Sequence, residues 1–552
     1  MKTILLNLLC MFVLLDVTSC AKKTDEPDTN GEGNALSVNL ILPNVAASGS
    51  TVQIQGNGFG SNPEGIQVKF GEVMGEVLDL SDGVISVKVP ELAEGAKINV
   101  SVLVGGQTSN IKSFRVRKIG ELVLAEKDTL EWTENKSPNI AVIKAGIPAY
   151  DEQVVKYIRN GRQLLEVELS EPVIVAVADR ELPWGFFNFP GIRRSLSGQQ
   201  ISVSWSMSHD NAESYGQAVS GNSAVSSDEG ATWTRVERAP TGGGILLSNG
   251  DRITVSTPAA IPIGDLDLPP VLATFQDGSN YDRLFRIYEY DKLPLQVQGT
   301  YQHRIKSGTT AWVAERGTLV HPNLARYSDG NLFPVVWWGD MHELSDGIYR
   351  GTYPTYETKP GGGIDASGVT FYKSTDLGLT WIKQGNIPYQ PDLMLDPNGN
   401  KRKAFGWTEP AFAALKNGTF LSVLRTQDGF GESPMYVSTS TNKGVSWTKP
   451  KVFTGAGVLP KLLELDNEVV ALASGRPGVQ LRFMLNNNAD DWSEPFEMLP
   501  WVPNETFSCG YTGFLKVDDN SFLIVYSDFW HRTPEGERRK AIKVRKVTVK
   551  RL

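Results

Sequence analysis

The sequence predicts an all-β protein: a six-bladed β-propeller preceded by a small β-sandwich. Three observations carry this. A polar turn followed by an apolar strand recurs six times beyond residue 190. An eight-residue box with Ser, Gly and Trp at fixed spacing recurs within the same region. Roughly 80 residues nearer the N-terminus alternate apolar and polar positions in short runs divided by Gly, Asp and Pro. A chain of 552 residues is too long for one core and divides into domains.

Residues 1–20 read MKTILLNLLCMFVLLDVTSC. Lys2 supplies a positive start, and the apolar run from Ile4 to Leu15 is too short to span a bilayer. The ending Val17-Thr18-Ser19-Cys20 resembles the lipobox of bacterial lipoproteins, although Asp16 interrupts the apolar run just before it. The resemblance implies a signal peptide over 1–19 and acyl chains on Cys20, hence attachment to the cell envelope and, most specifically, a surface-exposed place on the outer membrane. Residues 20–35 are polar and charged, as a flexible tether would be.

From 36 to 117 the alternating pattern takes over. Val52 and Ile54 share a face before the turn Gly56-Asn57-Gly58-Phe59-Gly60, and short strands are predicted at Ile66–Phe70, Val84–Val89, Ile98–Val104 and Phe114–Val116. The pattern G-x-x-V-x-I-x-G-x-x-F-G from Gly49 to Gly60, the V-x-F-G from Val68 to Gly71 and the late Ser109 to Val116 resemble the IPT/TIG family. That resemblance implies an immunoglobulin-like β-sandwich serving as spacer or contact module. No constellation in it suits chemistry.

The remaining segment, 118–552, holds the repeats. Polar turns at Ser197-Gly198, Asn249-Gly250, Asp329-Gly330, Asn417-Gly418, Asp466-Asn467 and Asp519-Asn520 each precede a β-rich apolar stretch. Residues 118–185 either complete the last blade or cap the propeller; strands are predicted at Leu164–Glu168 and Val173–Val177, and a short helix at Glu152–Arg159.

The box reads Ser226-x-Asp228-x-Gly230-x-x-Trp233, then Ser374-x-Asp376-x-Gly378-x-x-Trp381, then Ser440-x-Asn442-x-Gly444-x-x-Trp447. Near Asp490-Asp491-Trp492 only the tryptophan of a fourth copy survives. The chemistry suits a tight hairpin: Ser and Asp bond the turn backbone, Gly takes positive φ, and Trp packs beneath. These copies resemble the Asp-box of the sialidase superfamily, where the boxes mark the fold and lie away from the ligand.

The resemblance implies a site at one mouth of the central channel, with an arginine cluster, an aspartate acid/base and a tyrosine nucleophile paired with glutamate. A carboxylate on the anomeric carbon of the sugar would repel an anionic nucleophile, which is why a phenol–carboxylate pair takes that part. On this sequence the matching positions are Asp210 as acid/base, Glu409 and Tyr511 as the nucleophile pair, and Arg425 and Arg476 as arms of an anion clamp. The first arginine is missing. Asn188, in Asn188-Phe189-Pro190, stands in its place, with Arg193 and Arg194 only a few residues on. His209, His321, Trp184, Trp338 and Trp530 are further candidates for the mouth.

The net charge of -8 excludes a nucleic-acid partner, since phosphate binding needs a basic face. Cys509 is the one thiol beyond the leader, so neither a disulfide framework nor a zinc cage is expected. No metal or cofactor is expected either. The reading that follows is an exo-acting glycoside hydrolase on a terminal, acidic sugar, with a glycan as partner, the membrane reached through a lipid anchor, and surface glycan-uptake proteins as neighbours. A non-catalytic glycan-binding lipoprotein and a propeller-type polysaccharide lyase are the alternatives.

Overall fold

The computed structural model describes residues 35–116 and 153–552, apart from short internal stretches of which 209–220 is the longest. Cys20 with its leader and tether, the segment 117–152, Asp210, His209 and Trp338 lie outside the described residues.

The N-terminal part is the predicted sandwich. Strands Thr51–Asn57, Ile66–Phe70, Val84–Lys88, Lys97–Val104 and Lys112–Val116 sit within one residue or two of their expected places. Val52, Ile54, Val68, Phe70, Ile85, Val100, Val102 and Phe114 form its core. Ser113, on the last of these strands, donates a hydrogen bond of 2.6 Å to the Leu395 carbonyl of the propeller.

Residues 153–552 form six antiparallel blades. The first strands of the blades are Phe186–Arg194, Ile245–Leu246, Met341–Leu344, Trp407–Ala414, Val458–Glu464 and Thr512–Lys516. From blade 2 to blade 6 each first strand touches the next, the first meets the sixth, and the segment leading into blade 2 bonds to the end of the first strand of blade 1 (Gly243 N–H to Arg194 carbonyl, 3.1 Å), so the ring closes. The last blade takes its outer strands from the other end of the propeller segment: Arg162–Leu169 and Val173–Val177 both pair with Arg538–Arg551. The described part of that uncertain segment, from Gln153 to Val177, therefore contributes to the last blade rather than to a cap. Between blades 5 and 6, Ala471, Leu481 and Phe483 pack against Tyr157, Val167, Phe522 and Ile524. Burying each of these larger side chains is worth about 1.5–3 kcal/mol.

Two sequence expectations are corrected. The segment expected as a helix at 152–159 is the strand Gln153–Arg159, paired with Arg162–Leu169. Its apolar spacing fits either period, and the open edge beside it decides. The turn Asp329-Gly330 is not a blade turn. Blade 3 turns at Ser345-Asp346-Gly347, between Met341–Leu344 and Gly347–Glu357. Asp329-Gly330 belongs to an insertion whose strands Ala273–Gln276, Leu284–Glu289 and Leu324–Ser328 extend from the long strand Gly347–Glu357.

The three boxes have the predicted geometry. Ser226 Oγ donates to Asp228 (2.7 Å), the Gly230 N–H to Ser226 Oγ (2.8 Å), and the Thr232 N–H to Asp228 (2.9 Å). The second and third boxes repeat these bonds at Ser374 and Ser440, and Asn442 takes the aspartate's part in the third. Gly230, Gly378 and Gly444 have φ of 91°, 90° and 81°. Trp492 donates to the Ala489 carbonyl (2.9 Å) as Trp233 and Trp447 donate to Gly230 and Gly444, which marks it as the surviving piece of a fourth box.

Bonds from Thr232 and Ser226 pull the Asp228 carboxyl from 3.8 to about 2. A carboxyl lowered on folding stabilises the fold above its unfolded pKa, and that contribution is lost as pH falls through the folded value. The melting temperature is expected to drop from about pH 4 to about pH 2. Asp228→Asn, which copies the third box, should melt normally at neutral pH and decline less steeply in acid. Parallel thermal melts of the two proteins across that range check it.

Candidate active site

Strand direction alone gathers the candidates. In each blade the first strand starts, and the second ends, on one face of the ring; the first turns and the boxes lie on the other. Asn188, Glu409 and Tyr511 lie at the starts of first strands, whereas Arg425 and Arg476 lie at the ends of second strands. All five belong to one mouth. Asp210, which follows the second strand of blade 1, Ile201–Met207, lies outside the described residues.

Local backbone then aims these side chains. Register shifts mark the start of the first strand in blades 1, 4 and 5. Phe187, Phe189, Glu409, Leu459 and Arg476 all have positive φ, between 37° and 57°. β-Bulges of this kind re-aim side chains, and left-handed non-glycine residues of this size cost about 1–3 kcal/mol each. The other left-handed non-glycine residues described, Glu229, Asn323, Leu377, Lys443 and Glu468, lie in turns, so this mouth is where such backbone sits in or directly beside the strands.

Glu409 is buried at the centre. One carboxylate oxygen accepts from the Tyr511 hydroxyl, and the other accepts from Arg425 Nη1 and from the Leu459 N–H (3.1 Å). Arg425 Nη1 also donates to the Tyr511 hydroxyl oxygen at 3.3 Å. Glu409 and Arg425 of blade 4 and Tyr511 of blade 6 thus form a hydrogen-bonded triad, which the Leu459 N–H of blade 5 joins. Burial first, and the Glu409 carboxylate next, push the Tyr511 phenol well above its ordinary pKa, while Arg425 and Arg476 pull the other way. The phenol is neutral at rest, with its proton directed at a carboxylate.

Arg476 lies alongside. Its guanidinium covers the rings of Trp184 (5.4 Å) and Tyr511 (5.9 Å), and its Nε donates to the Cys509 carbonyl at 3.3 Å. Its position is set by glycines: a Cβ on Gly475 would lie 2.1 Å from Gly510 Cα, so the chain before Arg476 runs directly against the chain before Tyr511.

Asn188 is fully buried, and neither polar atom of its amide has a hydrogen-bond partner. Neither nearby arginine supplies the missing arm. Arg194 pairs with Glu229 of the first box at 2.7 Å, on the far face, and Arg193 donates to Ser204 at 3.3 Å. His321 is buried against Tyr372 (2.7 Å) and Glu357 (3.2 Å) as part of the packing of blade 3. Trp530 sits beneath Arg538 at 4.7 Å, and Cys509 is a buried free thiol.

Sequence reasoning passed over four contributors. Phe189 packs on the Tyr511 ring at 4.9 Å. Leu459 offers its backbone N–H to Glu409. Lys540, pushed down to about 8 by burial, donates to the carbonyls of Pro183 (2.8 Å) and Phe186 (3.1 Å), fixing the segment that carries Trp184. The Gly475–Gly510 contact is the fourth. Only Phe189 carried a sequence signal, as the neighbour of Asn188.

The IPT/TIG domain profile matches residues 36–116. No curated protein matches the chain. Among solved structures, a protein of unknown function from Dyadobacter fermentans is similar at 17% identity and a TM-score of 0.44, over 70% of this chain and 99% of that one. The α-L-arabinanase of Penicillium chrysogenum is similar at 13% identity and a TM-score of 0.34, covering 68% and 97%. The NanB sialidase of Streptococcus pneumoniae is similar at 11% identity and a TM-score of 0.37, covering 94% and 98%.

Proposed function

We propose that this protein is an exo-acting glycoside hydrolase that removes a terminal sugar from glycans at the cell surface by double displacement. The observation that carries the reading is the Tyr511 hydroxyl directed at the Glu409 carboxylate, with Arg425 bonded to both. A carboxylate held in place beside a neutral phenol is the arrangement that makes a phenol nucleophilic at neutral pH.

In the first step the Tyr511 oxygen bonds to the anomeric carbon while its proton passes to Glu409. The glycosidic C–O bond breaks, and the leaving oxygen takes a proton from Asp210. Water then attacks the tyrosyl glycoside, giving its proton to Asp210, and the phenolate recovers its own proton from Glu409. Arg425 holds the Glu409 carboxylate toward the phenol throughout, and Phe189 and Arg476 fix the ring.

Two inversions at one carbon give net retention. Proton NMR of the first-formed product, recorded before mutarotation, is expected to show the anomer of the substrate. An inverted product would rule out Tyr511 as nucleophile, and binding without release of sugar would favour a glycan-binding protein.

The resemblance of Val17–Cys20 to a lipobox supports a membrane anchor for this activity, with the IPT/TIG domain as the spacer between anchor and propeller. Cys20→Ala is expected to move the protein from the membrane fraction to the soluble one. Unchanged fractionation would remove the anchor from the proposal.

A further inference from the structure

Read from the sequence, two arginines imply an acidic sugar; their surroundings change that. We infer that the site takes a neutral terminal sugar, one with no carboxylate on or near its anomeric carbon. The inference rests on the hydrolase reading and concerns the charge of what that hydrolase accepts.

A carboxylate on the reacting carbon would lie beside the Tyr511 hydroxyl as bond formation began. That place already holds one carboxylate, Glu409, whose oxygens are met by Tyr511, Arg425 and the Leu459 N–H. Arg425 is therefore the counter-charge of Glu409. A second carboxylate here needs cationic donors of its own, because two like charges a few ångströms apart in a desolvated site repel strongly.

The three positions of the expected clamp do not supply them. Asn188 is neutral and shows no exposure, so it offers neither charge nor a reachable donor. Arg425 is bonded within the triad. Arg476 has its guanidinium over the Trp184 and Tyr511 rings, 5.4 and 5.9 Å from their centres, with its Nε on the Cys509 carbonyl. This position braces the Tyr511 ring, and the bond from Nε takes the Nε edge by which an arginine grips a carboxylate side-on. Lys540, a further described cation behind this wall, donates to two backbone carbonyls.

A neutral sugar needs none of this. The rings of Trp184 and Phe189 stand next to Arg476 and Tyr511, and apolar ring faces suit the C–H faces of a pyranose or furanose.

The test uses the whole wild-type protein and pairs of aryl glycosides that differ only in a hydroxymethyl against a carboxylate: glucoside with glucuronide, galactoside with galacturonide. An aryl glycoside of a 2-keto sugar acid and an arabinofuranoside complete the set. The expected result is a neutral member with kcat/KM about 100-fold or more above every carboxylated one. Its kcat/KM should also stay flat from about 0.02 to about 0.5 M salt. A carboxylated member cleaved best overturns the inference and leaves the hydrolase standing. If nothing is cleaved the hydrolase reading fails, and saturation-transfer NMR on the same sugars decides the present point. Contacts to neutral members alone support it, whereas contacts to carboxylated members, or to none, overturn it.

Discussion

Tyr511→Phe is expected to lower turnover by about 10³-fold or more, equivalent to about 4 kcal/mol of lost transition-state stabilisation. The substitution removes the attacking oxygen and keeps the ring that packs on Phe189 and under Arg476. Glu409 loses one of three donors and keeps Arg425 and the Leu459 N–H, so the fold should lose only about 1 kcal/mol. Glu409→Gln should reduce turnover comparably but at a greater structural cost. It strips the buried Arg425 of its carboxylate, and breaking a buried pair costs about 3–5 kcal/mol. The double variant should fall far short of the summed losses, because phenol and carboxylate act as one unit. The measurement is steady-state kinetics on whichever glycoside is cleaved, with thermal melts alongside. Near-normal turnover in Tyr511→Phe would remove the double-displacement mechanism.

The hydrogen-bonded triad of Tyr511, Glu409 and Arg425 and the backbone at this mouth depend on each other. Four first or second strands carry left-handed non-glycine residues there, and each does something definite. Glu409 accepts from Tyr511 and Arg425, Leu459 turns its N–H onto Glu409, Phe189 meets the Tyr511 ring, and Arg476 lies over that ring. Strain of this kind persists only where the surrounding structure over-determines it. Here the ring of closed blades supplies the over-determination, while the boxes on the other face hold the hairpins with hydrogen bonds internal to each turn.

What the sequence disclosed follows from how far each cause reaches along the chain. The boxes were fully legible, because every bond in them lies within eight residues and is made by the residue types themselves. The sixteen-residue step from Glu409 to Arg425 was legible for the same reason: one hairpin of fixed length joins them. The closing of the last blade was not, since Ser170 meets Arg545 from 375 residues away and no local pattern announces that pairing. The turn at Asp329-Gly330 misled because an inserted β-sheet uses the same turn chemistry as a blade. The state of the two arginines was least accessible of all. Residue type announces a charge, but whether that charge faces a ligand or a neighbour depends on contacts made in three dimensions.

Gly475→Ala illustrates this last kind of cause and should have the second-largest effect. A methyl group at 475 would stand 2.1 Å from both Cα and the carbonyl oxygen of Gly510, distances that backbone atoms cannot accept without moving. A methyl on Gly510 would in turn meet Arg476 Cγ at 2.9 Å, at a φ of +78° that disfavours any side chain. The two chains must separate, and the residues that follow the glycines are Arg476 and Tyr511. Overpacking of this sort costs about 1–3 kcal/mol of stability. A displacement of about 1 Å at a nucleophile lowers turnover by about 10²-fold even when every catalytic group is present. Gly475→Ala should therefore remain folded, with a lowered melting temperature and kcat reduced about 100-fold. Gly264→Ala, where nothing lies within 4 Å of the added methyl, is the matched control and should behave as wild type. If Gly475→Ala matched that control in both melting and kcat, the contact between the two glycine segments could not be what sets Arg476 against Tyr511.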